Sequence, residues 1–182
     1  MTTEIRQMTP DDIDAFIAHF EVVIPQSGQD GDAIFAPFSP EEPAVISKMR
    51  ERRVTAWAIP VGQAGWSRAW AAIDDGRVVG DIELDGGNLL AEMHRVGLGM
   101  SIQRGCRGIG LGTRLMETAI GWAREQGIEY IHLGVFSGNP AAAGLYEKFG
   151  FERWGIQRDA FRISGHRVDD IQMVLALGSP AE

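Results

Sequence analysis

The clearest hydrophobic patterning lies in the middle of the chain, where Leu98, Met100 and Ile102 alternate with Gly99, Ser101 and Gln103. A period of two predicts a strand with one apolar face. Beyond a glycine-rich turn, Leu111, Leu115, Thr118, Ala119, Trp122 and Ala123 recur at spacings of three and four, with Arg114, Glu117, Arg124 and Glu125 opposite them. That is an amphipathic helix, and Gly127 supplies its C-terminal stop. Tyr130 to Phe136 alternates again as a strand. Asn139 as N-cap, Pro140 at the first helical position and Gly150 past the end then bound a short helix.

The flanking regions follow the same rules. Glu4 to Met8 predicts a first strand, and Thr9-Pro10-Asp11-Asp12 starts a helix, with Thr9 as cap, that runs to about Glu21. Pro25 to Pro43 reads as a Gly, Asp and Pro-rich loop that also carries Ile34, Phe35 and Phe38, and a second helix spans about Glu41 to Arg53. Ala69–Ile73 and Val78–Leu84 flank the turn Asp74-Asp75-Gly76-Arg77, a hairpin signal. Gly62 to Gly65 is a flexible insert, and Phe151–Gln157 and Asp170–Leu177 form the last strands around a turn at Gly165-His166. No repeat or linker divides residues 1–182, so a single domain is expected.

Composition narrows the function classes. The net charge of -8 argues against nonspecific nucleic-acid binding and leans towards a cationic substrate. No long apolar run suggests a membrane span, and Met1-Thr2-Thr3-Glu4 lacks the basic and apolar regions of a signal peptide, so a cytoplasmic location is expected. The lone Cys106 excludes an internal disulfide and a thiolate-rich metal site, leaving either an incidental thiol or a reactive one beside Arg107.

The turn itself, Arg107-Gly108-Ile109-Gly110-Leu111-Gly112-Thr113, has the chemistry of an anion site. Glycines at alternate positions keep Cβ atoms away from a ligand and leave main-chain N–H groups open, while the following helix aims its unsatisfied amides at the same spot. Arg104 and Arg107 add cationic side chains suited to a diphosphate. No lysine completes a P-loop, and Thr113 stands where a dinucleotide fingerprint requires glycine.

Arg107, Gly110 and Gly112 match the pattern Gln/Arg-x-x-Gly-x-Gly/Ala of the pyrophosphate loop in the GNAT family of N-acetyltransferases, which this stretch resembles. Asn139, Ala142, Leu145, Tyr146, Lys148, Gly150 and Phe151 resemble the later motif of the same family, in the same order and with a strand between. The likeness covers about Asp74 to Ala176. It implies an α/β (α+β) fold: a single mixed, mostly antiparallel twisted sheet of six to seven strands, flanked by about four helices and splayed at the cofactor strand.

The resemblance also implies acetyl-CoA as cosubstrate, no metal, and transfer of acetyl to an amine on a small molecule or peptide, with a homodimer left open. It assigns Arg107, Gly108, Gly110, Leu111, Gly112 and Thr113 to the pyrophosphate, Asn139 to the cofactor channel, and the free N–H groups near Met100 and Ile102 to the acyl oxygen and pantetheine. Tyr146 becomes the general acid, since a phenol of unperturbed pKa about 10 is protonated at neutral pH and can donate to a thiolate. Read by position alone, Asn139 is a cap and Tyr146 a half-buried helix aromatic. Phe35 and Phe38 either touch the acceptor or tuck their loop onto the core.

One position departs from the family pattern. Members often carry a glutamate on the strand before the loop, and Met93-His94-Arg95-Val96-Gly97-Leu98-Gly99 has glycine there. Direct attack needs a neutral amine, and deprotonating a lysine-like amine of pKa about 10.4 at pH 7 costs about 4.6 kcal/mol, against about 1.4 for an α-amine near 8. Glu83, Glu92, His94 and water remain open as the base, and a catalytically silent coenzyme A sensor remains open as the alternative function.

Overall fold

The computed structural model describes residues 3–38 and 44–178. In chain order come β1 (Glu4–Gln7), a 3-10 turn at Pro10–Asp12, α1 (Ile13–Val23) and α2 (Ala44–Ala58). The hairpin β2 (Ser67–Asp74) and β3 (Arg77–Gly86) follows, then β4 (Arg95–Ile102), α3 (Leu111–Glu125), β5 (Tyr130–Phe136), α4 (Pro140–Lys148), β6 (Glu152–Ile163) and β7 (His166–Ala176). The strands form one seven-stranded sheet in the order β1-β2-β3-β4-β5-β7-β6. Only β4 and β5 run parallel; the other neighbours are antiparallel. The expected mixed sheet with four helices is therefore present.

Three elements outrun the hydrophobic pattern. The expected start of the second helix at Glu41 lies outside the described residues, but α2 continues past Arg53 to Ala58. Arg53, the expected end of the helix, is buried, and the next turn brings Trp57 edge-on to Phe16 at 5.1 Å. β6 and β7 reach Ile163 and start at His166, past the expected limits of Gln157 and Asp170. The polar run Arg158-Asp159 hides this extension, because the register shifts between Gln157 and Phe161 and Asp159 adopts φ 49. A bulge carries the pairing through residues that read as a loop.

Both faces of the sheet are used. α3 buries Leu111, Leu115, Met116, Ala119, Ile120 and Ala123 together with Ile82, Leu84, Ile131 and Leu133. On the other face Ile13, Phe16 and Trp57 pack on Ala69, Ala71 and Val78. β3 alternates between these environments. Ile82 and Leu84 join the α3 core, while Asp81 and Glu83 pair across from Ser101 and Gly99 on the face covered by α1 and α2.

The parallel pair opens the sheet. β4 and β5 are in register only at Arg95, Val96 and Gly97 against Tyr130, Ile131 and His132. Past that point β4 stays with β3 as far as Ile102, and β5 stays with β7 as far as Phe136. The edge of β4 that faced β5 is left without a strand partner from Leu98 onward.

Both helices beside this opening end in the same way. Beyond α3, Ile128 N–H donates to Ala123 O at 3.0 Å and Gly127 N–H to Arg124 O at 3.1 Å, with Gly127 at φ 71. Beyond α4, Phe151 N–H donates to Tyr146 O at 3.1 Å and Gly150 N–H to Glu147 O at 3.0 Å, with Gly150 at φ 88. These are Schellman closures, which need a left-handed residue and so favour glycine. The second also packs Phe151 against Tyr146, ring centres 5.8 Å apart and tilted by 54°, and thereby fixes the tyrosine by its carbonyl and its ring.

Candidate active site

A cavity of about 880 Å³ enters the opened sheet between α3, α4, β4 and the chain that joins α1 to α2. It brings together Met100, Ile102, Arg107, Gly108, Gly110, Leu111, Gly112, Thr113, Asn139 and Tyr146. Phe35 and Phe38 line its other side, with Asp81, Glu83 and Arg53. Of the open base candidates only Glu83 reaches it. Glu92 spends its carboxylate on the Asn88 and Leu89 amides at 3.2 and 3.3 Å, and exposed His94 lies edge-on to Tyr130 at 6.1 Å.

The glycine turn has the shape of an anion cradle. Gly108 and Gly110 adopt φ 75 and 82, and a Cβ on either would meet nothing within 4 Å. Gly110 sits at the N-cap of α3 without a side-chain cap, and the first helical bond runs from Arg114 N–H to Gly110 O at 3.2 Å. The amides of Leu111, Gly112 and Thr113 thus remain unsatisfied at the positive end of the helix. Gly112 has a different reason to lack a side chain: its Cβ would lie 3.0 Å from Leu145 Cδ2, so it lets α3 approach α4. A diphosphate fits this open, amide-lined turn.

The two arginines of the turn are engaged elsewhere. Arg107 Nη1 meets Asp32 Oδ2 at 2.7 Å and its Nε donates to Ile102 O at 2.9 Å, while Phe35 lies under the guanidinium at 5.1 Å. Arg104 reaches Asp32 at 3.0 Å and Asp30 at 2.9 Å. Burial opposes ionisation of Asp32, but hydrogen bonds from Arg107 and Arg104 hold its carboxyl below the usual range. The expected phosphate cations therefore tie the loop after α1 to the turn before α3. Cys106 between them is buried in the core.

Tyr146 is 6% exposed, deeper than a half-buried surface aromatic. Burial, with the charge of Asp81 adding to it, pushes its hydroxyl up to about 12, so the phenol is protonated throughout the neutral range. Asn139 does act as a cap, accepting from Ala142 N–H at 3.2 Å, and it lines the cavity as well.

On the acidic side of the cavity the sequence offers Glu83 alone as a candidate, without Asp81, Arg53 or His19. Glu83 accepts from Trp57 Nε1 at 3.1 Å and Ser67 Oγ at 3.3 Å, and Arg53 Nη2 lies 2.6 Å from its other oxygen. Burial pushes this carboxyl up against the pull of Arg53. Arg53 in turn lies over the Phe16 and Phe20 rings at 5.1 and 5.0 Å. Next to it, Asp81 accepts from Ser101 Oγ and faces His19 Nε2 at 3.1 Å. The one available signal was Asp81, Glu83 and Asp85 at alternate positions of an otherwise apolar strand, three carboxylates on a single face.

Fold and site together describe an acyl-transfer enzyme scaffold. The model of the acetyltransferase (GNAT) family matches residues 35–151, and the chain belongs to that family. N-alpha-acetyltransferase RimI of Mycobacterium tuberculosis is 36% identical over 74 residues, covering 41% of this chain and 42% of RimI. YwnH of Bacillus subtilis is 34% identical over 68 residues, covering 37% of this chain and 42% of YwnH. The matched stretch thus spans less than half the length of either curated relative. A GNAT superfamily phosphinothricin acetyltransferase from Sinorhizobium meliloti, solved in complex with AcCoA, superposes with a TM-score of 0.75 at 20% identity, covering 98% of this chain and 90% of that one. At that identity the likeness is one of fold.

Among the described residues no helix is long and apolar enough to cross a membrane, and no three His, Cys, Asp or Glu side chains cluster as a metal site.

Proposed function

We propose that this protein transfers acetyl from acetyl-CoA to a primary amine by direct attack, with Tyr146 as the general acid that protonates the departing CoA thiolate. The observation that carries this reading is a single cavity with an open, amide-lined helix N-terminus at one end and a buried, protonated phenol beside the parted strand. The diphosphate lies over Gly108 and Gly110 and takes the N–H groups of Leu111, Gly112 and Thr113. Arg107 holds the turn in place through Asp32 and Ile102. Asn139 fixes the start of α4 along the channel.

Met100 and Ile102 sit on the stretch of β4 that has lost its parallel neighbour, where main-chain N–H groups can receive the thioester oxygen and the pantetheine amide. The amine enters from the side of Phe35, Phe38 and the acidic pair. The name of RimI, an N-alpha-acetyltransferase, specifies transfer to nitrogen, which favours an amine acceptor here.

Titration calorimetry with acetyl-CoA tests the donor half, and thiol release over a panel of metabolite amines, polyamines and peptide N-termini tests the reaction. Binding together with release on at least one amine is expected. Absence of acetyl-CoA binding overturns the reading.

A further inference from the structure

The structure assigns the proton-accepting role in this reaction to Asp81 on β3, with His19 of α1 as its positioning residue, in place of the carboxylate that Gly97 replaces on β4. This rests on the acetyl-transfer reading above. Two buried carboxylates line the acceptor side of the cavity, Asp81 at 2% and Glu83 at 3% exposure, and their hydrogen bonding separates them. Both oxygens of Glu83 are occupied, one by Trp57 and Ser67 and the other by Arg53. A carboxylate tied at both oxygens, with donors on most of its roughly four acceptor positions, is held in place and keeps its neighbour Arg53 neutralised. Asp81 receives Ser101 Oγ and His19 Nε2 on Oδ1 alone, and among the described residues Oδ2 takes no hydrogen bond.

The tautomer of His19 follows from its far side. Gln103 Nε2 donates to Val78 O at 3.0 Å, an atom that can only accept, so the nitrogen of that amide is correctly placed. The same nitrogen lies 3.3 Å from His19 Nδ1, which therefore accepts, and the ring proton sits on Nε2, shared between Asp81 Oδ1 at 3.1 Å and Ser101 Oγ at 2.9 Å. His19 is itself buried at 2% exposure and tied to Ser101 Oγ at 2.9 Å. Gln103, His19 and Ser101 thus fix one oxygen of Asp81 and leave the other to the cavity. Asp81 pairs across from Ser101, between Met100 and Ile102 on β4, and its charge reaches Tyr146 on α4. The groups facing it are His19 from α1, Ser101 from β4, Tyr146 from α4 and, along β3, Glu83 with its Arg53 partner from α2.

The proton count closes with these two side chains. The bound acceptor ammonium gives one proton to Asp81 Oδ2, and the freed lone pair forms the C–N bond at the thioester carbon. The C–S bond breaks and the sulfur takes the Tyr146 hydroxyl proton. The nitrogen, now positive, gives its second proton to the Tyr146 oxygen, and Asp81 gives its proton up to solvent. One proton is released per acetyl group transferred, and both side chains return to their starting state.

Steady-state kinetics of the wild type and of two variants test this. In the wild-type protein, kcat/KM is followed against pH with acceptor amines of different pKa. An enzyme base gives an acid limb at the same pH for every acceptor, whereas a limb that tracks each amine's own pKa overturns the assignment. In Asp81→Asn, kcat falls about 100-fold or more, the range for loss of a general base, and the fixed acid limb disappears while the Kd for acetyl-CoA is unchanged. Hydroxylamine, an acceptor that is neutral at pH 7, narrows the deficit to less than about tenfold. His19→Leu gives a smaller loss and moves the acid limb to higher pH, since leucine removes one of the two donors on Asp81 Oδ1. A kcat and acid limb in Asp81→Asn equal to those of wild type overturn Asp81 alone. Wild-type protein that binds acetyl-CoA yet acetylates no amine overturns the proposed reaction itself, and the base with it.

Discussion

The two ends of the cavity are built in different ways. The donor end is backbone: the amides of Leu111, Gly112 and Thr113, the glycine turn before them, and the unpaired edge of β4. The acceptor end is side chain: Arg53 from α2, His19 from α1, Asp81 and Glu83 from β3, held by ion pairs and hydrogen bonds across more than sixty residues of sequence for the His19 and Asp81 pair. Backbone donors come from local chain conformation and bind any diphosphate alike. Buried charges depend on partners brought from elsewhere, so one substitution there disturbs several groups at once.

That contrast can be broken from the acceptor end first. Arg53→Met leaves the Glu83 carboxylate buried without its cation and is expected to destabilise the fold by about 3 to 5 kcal/mol, whereas Arg53→Met with Glu83→Leu recovers most of the loss. Urea unfolding of the two variants measures this, and equal stability would mean that the pair is not the closely coupled unit its geometry describes.

Tyr146→Phe comes next, with kcat lowered about 100-fold and the Kd for acetyl-CoA unchanged, because only the donated proton is lost. A rate equal to wild type removes Tyr146 from the acid role. The same hydroxyl sets a pH limit. A phenol held near 12 in the fold against about 10 unfolded contributes stability that is fully present below pH about 10 and lost as the pH rises towards 12. Alkaline unfolding of Tyr146→Phe should show less of that decline than wild type.

At the donor end Gly110→Val places a branched side chain at φ 82 in the mouth of the cradle, with about 1 to 3 kcal/mol of backbone strain. Its acetyl-CoA affinity falls at least tenfold by calorimetry, while urea unfolding shows a loss of stability no larger than that strain. The smallest effect is expected where the two ends meet. Asp32→Asn loosens pairs with arginines whose side chains are 33% and 39% exposed, worth at most about 1 kcal/mol. It should raise KM for acetyl-CoA more than for the amine, because Asp32 braces the diphosphate turn, and a rise confined to the amine would show that it serves the acceptor side instead.

Legibility in the sequence follows the same division. Each donor-end feature has a short-range signature, because a turn, a cap or a helix stop is decided within a few residues. Gly127 and Gly150 mark their Schellman closures, and Asn139 marks its cap. At the acceptor end only the alternation of Asp81 and Glu83 on β3 is such a signature, and it does not tell the two apart. His19 reads as one position on an amphipathic helix, and Arg53 reads as the end of α2, although it is buried against Phe16, Phe20 and Glu83. Arg104 and Arg107 sit where a phosphate would want them, yet only the distant Asp32 reveals that they brace the turn.

By itself the sequence determined the order of strands and helices, the glycine turn, the boundaries of α3 and α4, and membership in the family, since periodicity, caps and positive-φ glycines act locally. Tertiary structure alone decided which carboxylate is free. Asp81 and Glu83 occupy equivalent alternate positions on β3, and what separates them is the set of partners that α1, α2 and β4 bring to each, a matter of three-dimensional neighbours that no spacing along the chain encodes.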